Sequence, residues 1–572
     1  MSNAHFRRHR LMPACLTLAM LSIAEAAVVA PPAGAFVDGV SPASVIEVSP
    51  SGLGHVNIVP YYTVEGGIDT YINITNTDTR NGKAIKLRFL SAGAGDTVFS
   101  LTVLLSPGDR WAAALTLDTT TGLPRLVHND RSCTLPADVQ HVFRTARVDG
   151  AGAGAARSGH VEVIALADIP PRTAVGDPPL FKAIQQVAGV APCTTADLAT
   201  LAVDASSYSD ARAKGLEVPT TGLMTRWTLI HVPRAVSFTG VATALEARVA
   251  AGGAAGYGNV VLFPQTDEPV ASLAAVRSVT ADPLLRGGVS SAQMSTHPDI
   301  ENVVPAVTAL ANDFPDLSTP YLPAGPASSN NQPGAKPRLQ AYAVSKAMAT
   351  TSFANDFVFE PLIAARTEWV VTMPTRRYEA AVPGLAADGN GSMPLIYTDL
   401  TVDDRGLALS AGTANFFWPG WLGTSGLSSC YSLYQGPSVV RPITPSIHNR
   451  TGTIYAAQEA ALSDFRPDPN GIPPIPPGPN PICGNSAIVK LVGAGSNTSD
   501  MTIFNNNYSV TYVLAYDPKV LGGWARFATP GAANAGLPLI GFAAMELFNA
   551  AATPGMAGGY GQTFPHTTTR PD

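Results

Sequence analysis

Residues 55–89 read HVNIVPYYTVEGGIDTYINITNTDTRNGKAIKLRF, a run whose periodicity marks the chain as strand-built. Apolar and polar side chains alternate along it, and turn residues interrupt it at Glu65-Gly66-Gly67 and at Asn81-Gly82. Successive side chains leave a strand on opposite sides, so a period of two marks strands that bury one face. The stretch carries no nucleophile motif, no metal-ligand pair and no phosphate loop. Either it supports a site elsewhere or its architecture is its function.

The same pattern recurs in VNIVPYYTV (56–64), DTYINITNT (69–77), KAIKLRFLS (83–91), TVFSLTVLL (97–105) and RWAAALTLD (110–118). The runs are spaced by a strand plus a turn, and NTDTRNG (76–82) and SPGD (106–109) supply the turn chemistry. This predicts a mainly β protein, an antiparallel β-sandwich of Ig-like architecture with a few short helices and long loops. Further strands are expected at 141–148, 160–168, 226–233, 244–250 and 259–264, and short helices near Asp197 and Asn302. Residues 338–362 (RLQAYAVSKAMATTSFANDFVFEPL) read equally as helix or strand. TEWVVTMPTRRYEA (367–380) reads as a strand whose Pro374 marks an edge or a bulge.

The chain then divides into residues 1–26 as a signal peptide, a β-sandwich region over 36–285, and a mixed, β-rich middle over 286–465. A proline-rich linker or excursion over 466–482 and a C-terminal β region over 483–572 complete it. Arg7, Arg8 and Arg10 precede a short apolar run, and Ala24 and Ala26 frame a cut after Ala26, with a second option after Ala35. That is the grammar of secretion, and it predicts an exported protein at the outer cell surface or in the medium. Residues 1–26 carry three Arg and one Glu, so the formal charge of -6 becomes -8 when they are removed. This acidity offers nucleic acid no basic stripe. No later run is long and apolar enough to predict a transmembrane anchor after cleavage.

Four cysteines remain, Cys133, Cys193, Cys430 and Cys483, and no C-x-x-C spacing suggests zinc. An even number in an exported chain predicts two disulfides. Three pairings are open; sequence order favours Cys133–Cys193 with Cys430–Cys483, the second closing a loop around the proline-rich stretch. Charged residues make up 14%, against about 25% in ordinary soluble domains. Low charge fits either a surface covered by neighbouring copies or a plain monomer.

Few residues of the chain fit a catalytic or ligand-binding pattern. GTSGL (423–427) misses the G-x-S-x-G elbow by one residue, so Ser425 reads as a turn serine. No H-E-x-x-H occurs, and the histidines stand singly, several in strands, where structural roles are usual. Glycines 150, 152 and 154 precede a strand rather than a helix, which sets a dinucleotide site aside. Asp388, Asn390, Ser392 and Asp399 occupy positions 1, 3, 5 and 12 of a calcium loop, but Met393 stands where glycine is needed. A surface turn explains the same residues, so no cofactor is required and calcium is the one ion to consider. Glu360, Glu368 and Glu379 are scattered carboxylates with no evident pairing. In NFFWPGWLG (415–423), Phe417, Trp418 and Trp421 with Phe416 form either a sugar platform or the plug of a sandwich end.

VNIVPYYTVEGGIDTYINITNTDTRNGKAIKLRFLSA with LSPGDRWAAAL, then GHVEVIALADI, TEWVVTMPTRRY, and finally GWARF with GLPLIGFAA, run in order from residue 55 to 545. In these phrases the chain resembles a family of secreted Gram-negative proteins commonly labelled surface or cell-surface proteins. The resemblance implies a β-rich fold and an envelope or surface-layer role, and it carries no functional residue across. The expected function is a secreted, non-enzymatic surface component that associates with itself or with envelope components, with LPLIGFAAMELF (537–548) as a contact strand. The alternative is a secreted carbohydrate-binding or carbohydrate-cleaving protein using the 415–421 aromatics.

Overall fold

The computed structural model describes residues 40–258 apart from 42, 94, 96, 136, 138–139, 144–152, 172–177 and 203–207. It describes 337–376 apart from 359 and 361–363, and the pieces 382–383, 395–396, 430–431, 446–449 and 454–456. It also describes 482–571 apart from 494–501, 505–508, 515–521, 530–534 and 554–555.

The first strands are β1 (Val45–Val48), β2 (Val56–Thr63), β3 (Ile68–Asn76), β4 (Gly82–Ser91), β5 (Thr97–Leu105), β6 (Arg110–Leu117) and β7 (Pro124–Val127). They continue as β8 (Cys133–Leu135), β9 (Gln140–Val142), β10 (Ser158–Ile169), β11 (Leu223–His231), β12 (Val236–Val241) and β13 (Thr243–Arg248). Two sheets result, ordered β1-β13-β2-β10-β4-β5-β8 and β12-β11-β3-β6-β7-β9, and every pairing in them is antiparallel. This is the expected sandwich.

The six-stranded sheet alternates as its sequence does. Along β3 the burial pattern is strictly in-out, with Ile68, Ile72 and Ile74 in the core. The seven-stranded sheet differs: β2, β4 and β10 are buried on both faces. Short helices α1 (Pro179–Ile184), α2 (Thr195–Ala199) and α3 (Tyr208–Ala213) contribute to a second apolar cluster with Ile58, Leu104 and Ile164. Polar positions of the alternation are therefore buried too, and opposite charges meet across the strands. Arg88 lies opposite Glu162 and its Nε donates to Oε2 at 2.9 Å; Lys83 lies opposite Asp168 at 2.7 Å. Burial still pushes both carboxyl pKa values up, against the pull of Arg88 and Lys83. Such pairs add little net stability, but a one-residue slip would bury each charge unpaired, so they fix the register.

The second unit begins with α4 (Pro337–Met348), then β14 (Ala349–Thr350), β15 (Ser352–Val358), β16 (Arg366–Thr372), β17 (Val382–Pro383), β18 (Leu395–Ile396) and β19 (Cys430–Tyr431). There follow β20 (Ser446–Asn449), β21 (Ile454–Ala456), β22 (Ile482–Cys483), β23 (Ser486–Gly493), β24 (Ser509–Leu514), β25 (Gly522–Ala528), β26 (Leu537–Pro538), β27 (Ile540–Thr553), β28 (Met556–Pro565) and β29 (Thr567–Thr569). Two five-stranded sheets form, β21-β20-β25-β15-β29 and β24-β23-β16-β27-β28, with β23–β24 the parallel exception. The ambiguous run 338–362 thus begins as a helix and ends as strand β15. Strand β16 is central, and Pro374 lies beyond its end rather than at an edge or bulge. Strand β27 lies between β16 and β28, so the contact expected of 537–548 is not a free edge. Among the described residues no helix is long and apolar enough to cross a membrane.

The two units share one core. β13 pairs with β2 only as far as Ile58, and beyond it β16 approaches, where the Thr372 hydroxyl donates to Pro60 O at 2.6 Å. Val370, Ile488, Phe504 and Phe542 join the cluster that holds Tyr61, Trp227 and Phe238. Trp369, one residue along β16, points the other way and packs on Phe353 and Phe527 of the second sheet.

Candidate functional site

The side of β8 that no described strand pairs borders a cleft of about 420 Å³. Ser132, Thr134 and Leu135 line one wall and Val190, Leu198 and Leu201 the other. The Cys133–Cys193 disulfide ties the walls together, as sequence order favoured. Cys193 sits at a φ of 48°, a left-handed conformation uncommon for a residue with a side chain, and its N–H donates to Ala183 O at 2.9 Å.

Ser132 is the nearest approach to a nucleophile in this cleft, and its surroundings are those of a turn. Its hydroxyl lies 2.6 Å from Asp130 Oδ1 and 3.2 Å from Asp109 Oδ2. The same carboxylates accept the Ser132 and Ala112 N–H groups and the Gln186 amide. Activation of a serine needs a base free to take its proton and an acid to return it. Here the carboxylates are already clamping backbone, so the arrangement holds a loop in place.

A second polar cluster lies in the joint between the units. Glu368 on β16 accepts from Phe504 N at 2.7 Å and pairs with Lys490 at 3.4 Å. Burial drives its pKa up to about 6 despite Lys490 and the backbone donors. Glu546 on β27 pairs with Arg366 beside it and with Arg234 of the N-terminal sandwich at 3.0 Å. His231 stands near, its pKa lowered first by burial and then by Arg234. Both carboxylates are sealed from solvent, at 0% and 1% exposure. A glycosidase pair must reach a sugar and a water, and these reach neither. The sequence marked Glu368 only as one of three scattered carboxylates; a lone charge in an apolar strand is the signal that could have pointed to the joint.

Buried histidines beside the strands are held by hydrogen bonds or ring contacts. His55 Nδ1 accepts from Ala247 N and Nε2 donates to Gly256 O, both at 3.1 Å, which sets one neutral tautomer. His566 uses the same tautomer, Nε2 donating to Val370 O at 2.9 Å and Nδ1 accepting from Asn355 at 3.0 Å. Burial lowers their pKa values to about 3 and about 4. His141 stacks on Phe99, and His128 lies against Trp111.

Cys430 and Cys483 stand directly opposite each other in the β19–β22 pair; their side chains lie outside the described residues. Asp388, Asn390, Ser392 and Asp399, the calcium-loop candidates, also lie outside them, as do Phe417, Trp418 and Trp421. Among the described residues no group of three His, Cys, Asp or Glu side chains could hold a metal ion. Comparison with family models, curated proteins and solved structures returns no match to this chain.

Proposed function

We propose that this is a secreted, non-enzymatic structural protein of a bacterial cell surface, built to associate with copies of itself or with other envelope components. The observation that carries the reading is the shared core: two β-sandwiches, antiparallel except for β23–β24, meet in one buried cluster through Trp227, Phe504 and Phe542. In support, the buried acids and histidines described above are engaged in holding strands and loops rather than presented to a substrate. The disulfide suits an oxidising compartment, and the N-terminal Arg-rich and apolar segments suit export. The resemblance of residues 55–545 to secreted surface proteins of Gram-negative bacteria points the same way.

The test is made on intact cells of the source bacterium. Antibody against the mature chain should label the outside of unpermeabilised cells, and a non-ionic wash or chelator should release the protein. Negative-stain images of the purified protein should show sheets or filaments. Protein confined to the periplasm, or hydrolysis of a glycan by purified material, would replace this reading with another.

A further inference from the structure

Strand β28 ends its sheet: β27 lies on one side and no described strand on the other. His566 N donates to Gly541 O, so in this ladder the even-numbered residues turn their N–H and C=O toward β27. The odd-numbered residues, Gly559, Gly561 and Thr563, therefore present theirs to the free edge. Their other surface is occupied: Gly561 lies close against Ser237 O of β12, and the Thr563 hydroxyl donates to Thr239 O. On the opposite face Tyr560, Gln562 and Phe564 point outward, the two aromatic residues 55% and 40% exposed.

Sheet edges are normally blunted by charge, and residues 556–569 contain no Asp, Glu, Lys or Arg. The edge is also self-complementary. We propose that two copies of this chain pair edge to edge through β28, antiparallel about Gln562, joining their five-stranded sheets into one.

The register follows from the polarity of the strand. Gly561 of one copy exchanges two backbone hydrogen bonds with Thr563 of the other, and the two-fold repeats the exchange. Even-numbered residues then fall in non-hydrogen-bonded pairs, where side chains approach closely. Tyr560 meets Phe564 of the second copy on both sides of the axis, and the two Gln562 side chains meet on it. Pro565, opposite Gly559, has no N–H to give and ends the ladder. A copy of the same uncharged strand matches every position, and no like charges meet. This pairing rests on the self-assembly reading above and supplies its first step, a two-fold dimer from which larger arrays need a further contact.

The experiment is sedimentation or multi-angle light scattering of the mature full chain across a concentration series. The Gln562 side chain is exposed, so Gln562→Lys and Gln562→Glu should fold normally. Each places like charges face to face on the axis and should weaken dimerisation roughly tenfold or more. Mixing the two variants in equal amounts should restore it. Association that persists unchanged in both variants overturns this pairing and leaves the self-assembly reading standing through another surface. Dimers that obey the charge test but never reach the cell surface uphold the pairing and sink that reading. A wild-type chain that stays monomeric throughout overturns the pairing and leaves the edge to a strand from another protein.

Discussion

Trp227 of the N-terminal sandwich packs against Phe542 of the second unit with ring centroids 4.6 Å apart, and both side chains are at most 3% exposed. Both rings belong to one buried cluster with residues from both units. Around them Tyr61 and Phe238 both meet Phe504, at 5.5 and 5.6 Å. The joint is thus hydrophobic core rather than a domain contact.

Coupled unfolding is the first expected consequence. Phe542→Ala should destabilise the protein by about 3–5 kcal/mol, the usual effect of emptying a packed aromatic site. Calorimetry should show one transition that moves as a whole. Two transitions, with only the C-terminal one displaced, would mean that the units fold separately.

Acid sensitivity should come largely from buried neutral histidines. His160 is fully buried, with no hydrogen-bond partner for either ring nitrogen among the described residues, and burial beside Arg88 lowers its pKa to about 3. The unfolded chain takes up a proton near 6.5 and the folded one does not. Its contribution is therefore intact above pH 6.5 and declines toward pH 3, by up to about 1.4 kcal/mol per pH unit. His55 and His566 act in the same direction. Glu368, raised to about 6, acts oppositely and adds stability as the pH falls from there toward its ordinary value. His160→Leu should leave stability at pH 7 within about 1 kcal/mol and flatten the acid limb of urea titrations between pH 6 and 4.

Reduction should loosen the cleft beside β8. Cys133 and Cys193 are 60 residues apart in sequence, and losing their bond should cost about 2–4 kcal/mol. Hydrogen exchange of the double serine variant should rise first in residues 190–201, which the bond ties to the sheet. Protection unchanged there would show that packing alone holds the wall.

A second bond is expected between Cys430 and Cys483, whose backbones pair directly. Mass spectrometry of a non-reduced digest should find the peptides that contain them linked. Two free thiols in the native protein would refute this.

Gly159 marks a bulge where β10 crosses between β2 and β4, and a Cβ there would sit 1.8 Å from Leu90 O. Gly159→Ala should cost about 1–3 kcal/mol, and more if the bulge cannot shift. A thermal midpoint equal to that of the native chain would show that the strands give way.

Much of the N-terminal sandwich was legible because its signals are local. Turn chemistry at Asn81-Gly82 and the in-out alternation of β3 need no partner to be read. Helix α2 near Asp197 was legible for the same reason. The run from 338 to 362 was not, since helix-favouring Ala341, Ala343 and Ala347 and strand-favouring Phe353, Phe357 and Val358 follow one another with no glycine or proline to mark the change. Nothing in the local pattern marks Lys83, Arg88, Glu162 and Asp168 as buried, and only pairing across β4 and β10 with an overlying layer buries them. Of the candidate site residues, the Cys133–Cys193 pairing could be ranked from sequence order; the cleft beside it could not.

The strand-rich class and the turn positions are written in local sequence, because backbone geometry and side-chain alternation act over a few residues. Which strands are central, which charges are buried together and the packing of Phe542 on Trp227 emerge only when the sheets assemble. Those outcomes depend on contacts between residues hundreds of positions apart, where burial and pairing in three dimensions, and not local preference, set the free energy.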